Sequence, residues 1–159
     1  IKANEPVLVD LVHAHRGYIV DMTRMFVAGR LDEAWTSRLE DMVAVKDTVV
    51  DVLDRGGLCS EAWHEGFELA KELGHASHLM GMAPDQSRFL GHSVGLQLDE
   101  SPVVAAGFER PLPIGATMAI EPKVVHIEGS IGTEDTWIRD EDGMQPLTAD
   151  GLWPAITEW

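Results

Sequence analysis

Pro6-Val7-Leu8-Val9-Asp10-Leu11 and Gly17-Tyr18-Ile19-Val20-Asp21-Met22-Thr23-Arg24-Met25-Phe26 are two apolar, β-prone runs on either side of His15-Arg16-Gly17, which can turn. They read as a strand, a turn and a second strand, each strand carrying a carboxylate in a buried-looking setting. The midpoint between positions 10 and 21 falls between His15 and Arg16, inside the turn. A hairpin symmetric about that point puts Asp10 and Asp21 directly opposite on one face, with Cβ atoms about 5 Å apart. Like charges so placed repel, and a metal ion between them is the economical way to tolerate the pairing.

The same device recurs near the other end. Thr117-Met118-Ala119-Ile120-Glu121-Pro122 and Gly132-Thr133-Glu134-Asp135-Thr136-Trp137-Ile138 are again β-prone, with Ile127-Glu128-Gly129-Ser130 as the turn between them. Glu121 and Glu134 are centred in that turn, which predicts a second opposed carboxylate pair. Gly91-His92-Ser93-Val94-Gly95 adds a histidine between glycines that permit close backbone approach. Two facing hairpins would gather four carboxylates and an imidazole, an inventory that fits two divalent cations about 3.5–4 Å apart with shared carboxylates. Oxygen-rich ligation suits Mn²⁺, and the imidazole also admits Zn²⁺, Co²⁺ or Fe²⁺.

Between the hairpins, Gly29-Arg30 ends the second strand. Trp35, Leu39, Met42, Lys46, Val49 and Leu53 then recur at helical spacing up to Gly56-Gly57. Ser60 is placed to cap a second helix with Trp63, Phe67, Ala70 and Leu73 as its stripe and Gly74 as its stop. Both helices are expected to cover the back of the sheet. His75 to Pro84 reads as a loop, although His75 and His78 would be of interest if it folded over the carboxylates. Ser87 to His92 leads into the histidine motif and Val94 to Leu98 continues as a strand. Asp99-Glu100-Ser101-Pro102 ends it and opens a loop through Gly107 and Pro111-Leu112-Pro113. Asp140 to Gly143 followed by Pro146 predicts a last hairpin, with Trp153 and Trp159 packing at an edge or a partner surface.

The 159 residues suffice for one domain with a core. Twelve Lys and Arg against 27 Asp and Glu leave a formal charge of -15, which argues against a nucleic-acid or anionic-membrane surface. One cysteine, Cys59, excludes an internal disulfide and points to a reducing cytoplasm. No run approaches the roughly 18 apolar residues of a membrane-spanning helix.

Taken in order, Asp10, Asp21, His92, Glu121 and Glu134 are separated by 11, 71, 29 and 13 residues. With Val9-Asp10, Gly17 to Phe26, Gly91-His92-Ser93-Val94-Gly95-Leu96, Ala119-Ile120-Glu121-Pro122 and Glu134-Asp135-Thr136, the chain resembles the pita-bread metallopeptidases: methionine aminopeptidase, prolidase and aminopeptidase P. The likeness runs from about Val7 to Thr148. The short gap between the glutamates and the Thr23-Arg24 after the second aspartate resemble the prolidase and aminopeptidase P branch. The resemblance implies an α+β pita-bread domain, an antiparallel sheet with covering helices, of which residues 1–159 form the C-terminal portion with the N-terminal part missing. It implies that Asp10 chelates one metal, that Asp21 and Glu134 bridge two, and that His92 and Glu121 complete the site. Glu121 would also manage the proton of the metal-bridging hydroxide that attacks the substrate. The expected activity is that of an Xaa-Pro aminopeptidase or dipeptidase acting on peptides, homodimeric as a whole protein.

Three departures from the family pattern stand out. Seven residues after His92, where relatives usually carry a second histidine, stands Asp99, which accepts hydrogen bonds and repels anions. The usual glycine after Glu121-Pro122 is Lys123, a candidate to bind a substrate carboxylate. The arginine common before the last glutamate is absent, with Ile131-Gly132-Thr133 in its place. Two alternatives follow: the same site acting on a non-peptide amide, a cyclic amidine or a sulfonium compound, or a binding module without turnover.

Overall fold

The computed structural model describes residues 1–148 and 156–158; Trp153 and Trp159 lie outside the described residues. Strand β1 (Pro6–His15) and strand β2 (Tyr18–Val27) form the first hairpin, closed by the two residues Arg16 and Gly17. Both have positive φ, 54° and 90°, the backbone that a two-residue hairpin loop needs to match strand twist. The loop therefore centres between Arg16 and Gly17, one residue later than the sequence predicts. Asp10 pairs with Thr23 and Val12 with Asp21. The two aspartates share a face, as expected, but stand diagonally rather than directly opposite. Nor are both buried: Asp21 is, while the far half of β1, from Asp10 onward, is exposed. β1 is an edge strand, and only its first half is covered, by strand β7 (Gly129–Gly132).

Helix α1 (Glu33–Asp54) starts on Asp32, whose side chain accepts from Trp35 N at 3.0 Å, and buries Trp35, Leu39, Met42, Val45, Val49, Val52 and Leu53. Lys46 lies on the same buried face and bridges to Asp47 at 3.2 Å. Helix α2 (Cys59–Glu72) begins two residues earlier than a Ser60 cap would allow. Leu58 is the cap residue, its N–H donating to Glu61 Oε2 at 2.7 Å, and Ser60 is buried in the first turn. The buried stripe of α2 is Cys59, Ala62, Gly66 and Ala70. Small residues on that face let the helix approach α1 closely, while Trp63 and Phe67 stack on each other at 5.0 Å beside it and Leu73 is exposed.

The largest sheet runs β4-β3-β5-β8-β9, from strands β3 (Phe89–Ser93), β4 (Glu100–Ala105), β5 (Thr117–Ile120), β8 (Asp135–Asp140) and β9 (Gly143–Pro146). Here the expectation for residues 94–105 is reversed. Val94 to Leu98 turn, and Glu100 to Ala105 form the strand. The turn is tied by Gly95 N to Gln97 O at 3.0 Å and by Gln97 N to the Glu100 carboxylate at 2.7 Å. Strand β6 (Lys123–His126) pairs with β7, and β8 with β9 forms the last hairpin. α1 packs behind β5, β6, β7 and β9, and α2 behind β3 and β4. Their apolar faces meet Leu90, Met118, Ile120, Val124 and Ile131 in one core. Strand β10 (Thr157–Glu158) adds to β2 in parallel.

Candidate metal centre

The second hairpin is two ladders in a single register. Thr117 to Ile120 pair with Asp135 to Ile138, Lys123 to His126 pair with Gly129 to Gly132, and every pair is centred between Ile127 and Glu128. The ladder breaks only at Glu121-Pro122 and Thr133-Glu134, where the glutamates are released to turn inward. Thr133 N still reaches Pro122 O at 3.1 Å. Their predicted opposition therefore follows from register, with β6 and β7 making the connection longer than a simple turn.

The two hairpins meet along β2 and the start of β8. Thr23 N donates to Glu134 O at 3.1 Å, and Thr23 Oγ1 to Glu134 Oε2 at 2.7 Å. Asp21 N donates to Thr136 Oγ1 at 3.0 Å, and that hydroxyl donates to Asp21 O at 2.8 Å. Behind them Arg24 spans the junction, bonding Asp135 Oδ1 at 3.0 Å, Glu134 O at 3.1 Å and Thr148 O at 2.6 Å. Thr23, Thr136, Arg24 and Asp135 are positioning residues, a role that their place in the motifs does not by itself reveal. The signal was there: a threonine two positions after each inner acid, Asp21 and Glu134.

His92 enters from β3, between β4 and β5. A side chain at Gly91 would collide with Ala119 O, so the glycine is what lets β3 press onto β5. Asp21, His92 and Glu134, all buried, thereby offer ligand atoms within 4.8 Å of one another. Asp21 Oδ1 is buried with no hydrogen-bond partner, and an acceptor left so is costly unless a cation or donor satisfies it. Two carboxylates and an imidazole with one orphaned oxygen fit a divalent ion. Glu121 and Asp10 stand beside this triad. Glu121 Oε1 lies 3.3 Å from His92 Nε2, and its Oε2 is 2.5 Å from Lys123 Nζ. Asp99 is at the rim on the 94–99 turn, exposed, with Oδ1 3.6 Å from His92 Nδ1. His75 and His78 do not reach the site: His75 pairs with Asp41 at 2.7 Å, and His78 bonds Val125 O and stacks on His126.

The electrostatics bear the mark of crowded acids. Burial, then the Asp10 carboxyl beside it, pushes Asp21 up to about 6. Burial, then the charges of Glu121 and Asp21, pushes Glu134 up to about 8. Burial works against a charged His92, yet the hydrogen bond and charge of Glu121 outweigh it and raise the imidazole to about 9. Burial also opposes charge on Glu121, but His92 and Lys123 hold it below the usual carboxylate value. Lys123, opposed by burial, is held above its ordinary value by Glu121, then Glu134 and Asp10.

A pH dependence follows. Below about pH 4 the unfolded acids are also protonated, so Asp21 and Glu134 cost nothing extra to fold; the cost of burying their charges grows as pH rises through about 6 and about 8. The His92 contribution has the same sense, present below about 6.5 and lost through about 9. Glu121 acts oppositely and only at the acid end, its contribution lost as pH falls below 4.5. The melting temperature of chelator-treated protein is therefore expected to fall from about pH 5 to pH 9, with excess Mn²⁺ removing most of the decline. A metal-free melting temperature that rises over this range would contradict the assignment.

An α+β fold of pita-bread architecture, with buried acids and a histidine gathered from two hairpins and a central strand, defines the class. Residues 1–141 match the metallopeptidase family M24, and the chain belongs to that family. It is 27% identical over 150 residues to an Xaa-Pro dipeptidase of Lactobacillus delbrueckii subsp. lactis, covering 93% of this chain and 39% of that protein. The prolidase structure from Pyrococcus furiosus superposes with a TM-score of 0.83 at 28% identity, over 93% of this chain and 42% of that one. The X-Pro aminopeptidase structure from Thermotoga maritima has the same fold, with a TM-score of 0.88 at 19% identity over 100% of this chain and 43% of that one. The chain thus spans about two fifths of the length of the relatives it matches.

Proposed function

We propose that this chain carries the metal-binding half of a hydrolase that cleaves Xaa-Pro peptides, with Asp10, Asp21, His92, Glu121 and Glu134 as the shell for up to two divalent ions, Mn²⁺ first among them. The observation that supports this most directly is the convergence of Asp21, His92 and Glu134 from three separate segments, with Asp21 Oδ1 unsatisfied. Bound there, divalent ions would polarise the scissile carbonyl and supply a nucleophile at neutral pH. Thr23 and Thr136 hold the acids in aim. Glu121, at hydrogen-bonding range of both His92 and Lys123, is the group placed to accept and return a proton at Oε1. Lys123 and the exposed Asp99 border the approach to the triad, Lys123 as the candidate partner of a substrate carboxylate.

The position of Asp99 favours a second reading of the substrate. An anionic rim 3.6 Å from His92 disfavours a free-carboxylate dipeptide relative to a longer peptide or a neutral or cationic amide, amidine or sulfonium compound. Among the described residues no helix is long and apolar enough to cross a membrane. A cytoplasmic homodimer acting on peptides, with no nucleic-acid partner, completes the proposal.

The test is elemental analysis of the purified protein for metal per chain, followed by turnover on Xaa-Pro dipeptides, longer Xaa-Pro peptides and cyclic amides. Retained metal with hydrolysis of any Xaa-Pro peptide supports the reading, and retained metal with turnover of the amides alone supports the second. Folded protein that binds peptide but neither holds metal nor turns over is a binding module.

A further inference from the structure

Trp63 and Phe67, stacked within 9° of parallel on α2 and only half-buried, form one wall of a cavity of about 410 Å³. Leu79, Met80, Phe89 and Leu90 complete its apolar lining, and Ser87 and Arg88 stand among the lining residues as polar groups. The opposite wall is the 76–88 segment, which reads as a loop in the sequence but is tied down in the fold. Met80 N donates to Lys123 O at 2.8 Å, Leu79 bridges to Val124 of β6, and Ser87 N donates to Met80 O at 3.0 Å. The side-chain amide of Gln86 donates to Ala76 O at 2.9 Å and to Leu79 O at 2.8 Å, so it holds the wall and is not left for a ligand. A side chain on Gly81 would meet Asp85 O at 2.9 Å, which shows how closely the segment folds on itself. Walls fixed in this way make a largely pre-formed space, the usual condition of a small-molecule site.

The charge of this lining runs against that of the chain. Asp and Glu outnumber Lys and Arg by 27 to 12, yet no acid lines the cavity and its single ionic group is Arg88. Among the described residues the exposed Arg88 guanidinium has no carboxylate or hydrogen-bond partner. Its five donors form a planar fork that matches a carboxylate with two parallel bonds. The aromatic rings suit a flat apolar body, which they can stack on or meet edge-on. We propose that this cavity binds a small aromatic carboxylate, with the ring system among Trp63, Phe67 and Phe89 and the carboxylate on Arg88. A neutral aromatic gains only the walls, and a small carboxylate without a ring gains only the guanidinium. The cavity adjoins the metal centre without belonging to it: the Phe89 ring lies 6.0 Å from that of His92, while Asp10, Asp21, His92, Glu121 and Glu134 are all absent from the lining. The inference does not depend on the metallopeptidase reading.

The experiment is isothermal titration calorimetry of the whole protein with 2-naphthoate, with the uncharged 2-naphthamide and with acetate, for wild type and Arg88→Gln, with metal content measured on both. Wild type is expected to bind one naphthoate per chain with a Kd of about 1 mM or tighter. Naphthamide should bind at least about tenfold more weakly, and acetate without measurable heat. Arg88→Gln, a change at an exposed side chain, should weaken naphthoate at least about tenfold, to the level of naphthamide, with metal content unchanged. A carboxylate held by a metal ion would not respond to that substitution. Nuclear magnetic resonance of ¹³C-methyl methionine in wild type reads the location without any binding-site variant. The Met80 signal, assigned through Met80→Leu, should shift with naphthoate, and that of Met144, which is not in the lining, should stay. Absence of naphthoate binding, equal affinity for naphthoate and naphthamide, or an affinity unchanged in folded Arg88→Gln would each overturn the proposal, as would binding that leaves the Met80 methyl unmoved.

Discussion

Glu134→Gln is expected to abolish retention of divalent metal and, with it, turnover, without unfolding the protein. Glu134 is the buried acid on which both hairpins converge: it accepts from Thr23 Oγ1, lies within 4.8 Å of the Asp21 and His92 ligand atoms, and carries the largest upward pull among the acids of the site. The amide keeps the shape and an acceptor for Thr23 but removes the charge that holds a cation. Because Glu121 and Asp21 already disfavour a charged Glu134, the neutral side chain relieves repulsion. The metal-free variant should melt no lower than metal-free wild type at pH 8, and this separates ligand loss from unfolding. Thr23→Val calibrates the effect. It removes only the donor that orients Glu134 and should weaken metal affinity by roughly 10–100-fold, less than Glu134→Gln. Metal titration and melting curves on the two variants measure both; full Mn²⁺ retention by Glu134→Gln would take Glu134 out of the ligand shell.

Arg24→Met is expected to give the largest loss of stability. Its guanidinium sits between Asp135, which is completely buried, and the carbonyls of Thr23, Glu134 and Thr148. Removing the cation strands a carboxylate in the interior, a change that typically costs about 3–5 kcal/mol. At about 2–4 °C per kcal/mol for a chain of this size, the melting temperature should drop by roughly 6–20 °C. Arg24→Met with Asp135→Leu removes both charges and should recover a good part of the loss, because two apolar side chains cost less than one unpaired charge. The site should suffer as well, since Arg24 fixes the Glu134 carbonyl to which Thr23 N bonds. Thermal melts of the single and double variants decide it. A drop under about 1 kcal/mol for Arg24→Met would mean that Asp135 is neutral or satisfied by Thr148 alone.

The sequence by itself determined the elements and their chemistry. Alternating apolar runs with acids at matched distances from turn residues specified two hairpins, because a strand repeats every two residues and a turn reflects one half onto the other. The 3.6-residue spacing of Trp35, Leu39, Met42, Val49 and Leu53 specified α1 in the same way. Periodicity could not locate the centre of a turn to within one residue, and that one-residue shift moved Asp10 from facing Asp21 to facing Thr23. Nor could it tell Val94–Leu98 from Glu100–Ala105 as the strand after His92, since both are short apolar runs and the choice was made by pairing with β3. The small-residue face of α2 prevailed over Trp63, Phe67 and Leu73 because the core had room for a close helix and not for a bulky stripe. Only the tertiary structure decided which acids are buried, since burial is a property of what packs from elsewhere: Asp21 and Glu134 are enclosed by each other's hairpins, and Asp10 sits on an edge strand. The meeting of Lys123 with Gly132 and Glu121 was likewise invisible in one dimension, because cross-strand register and the break at Glu121-Pro122 exist only once β5 to β8 are paired.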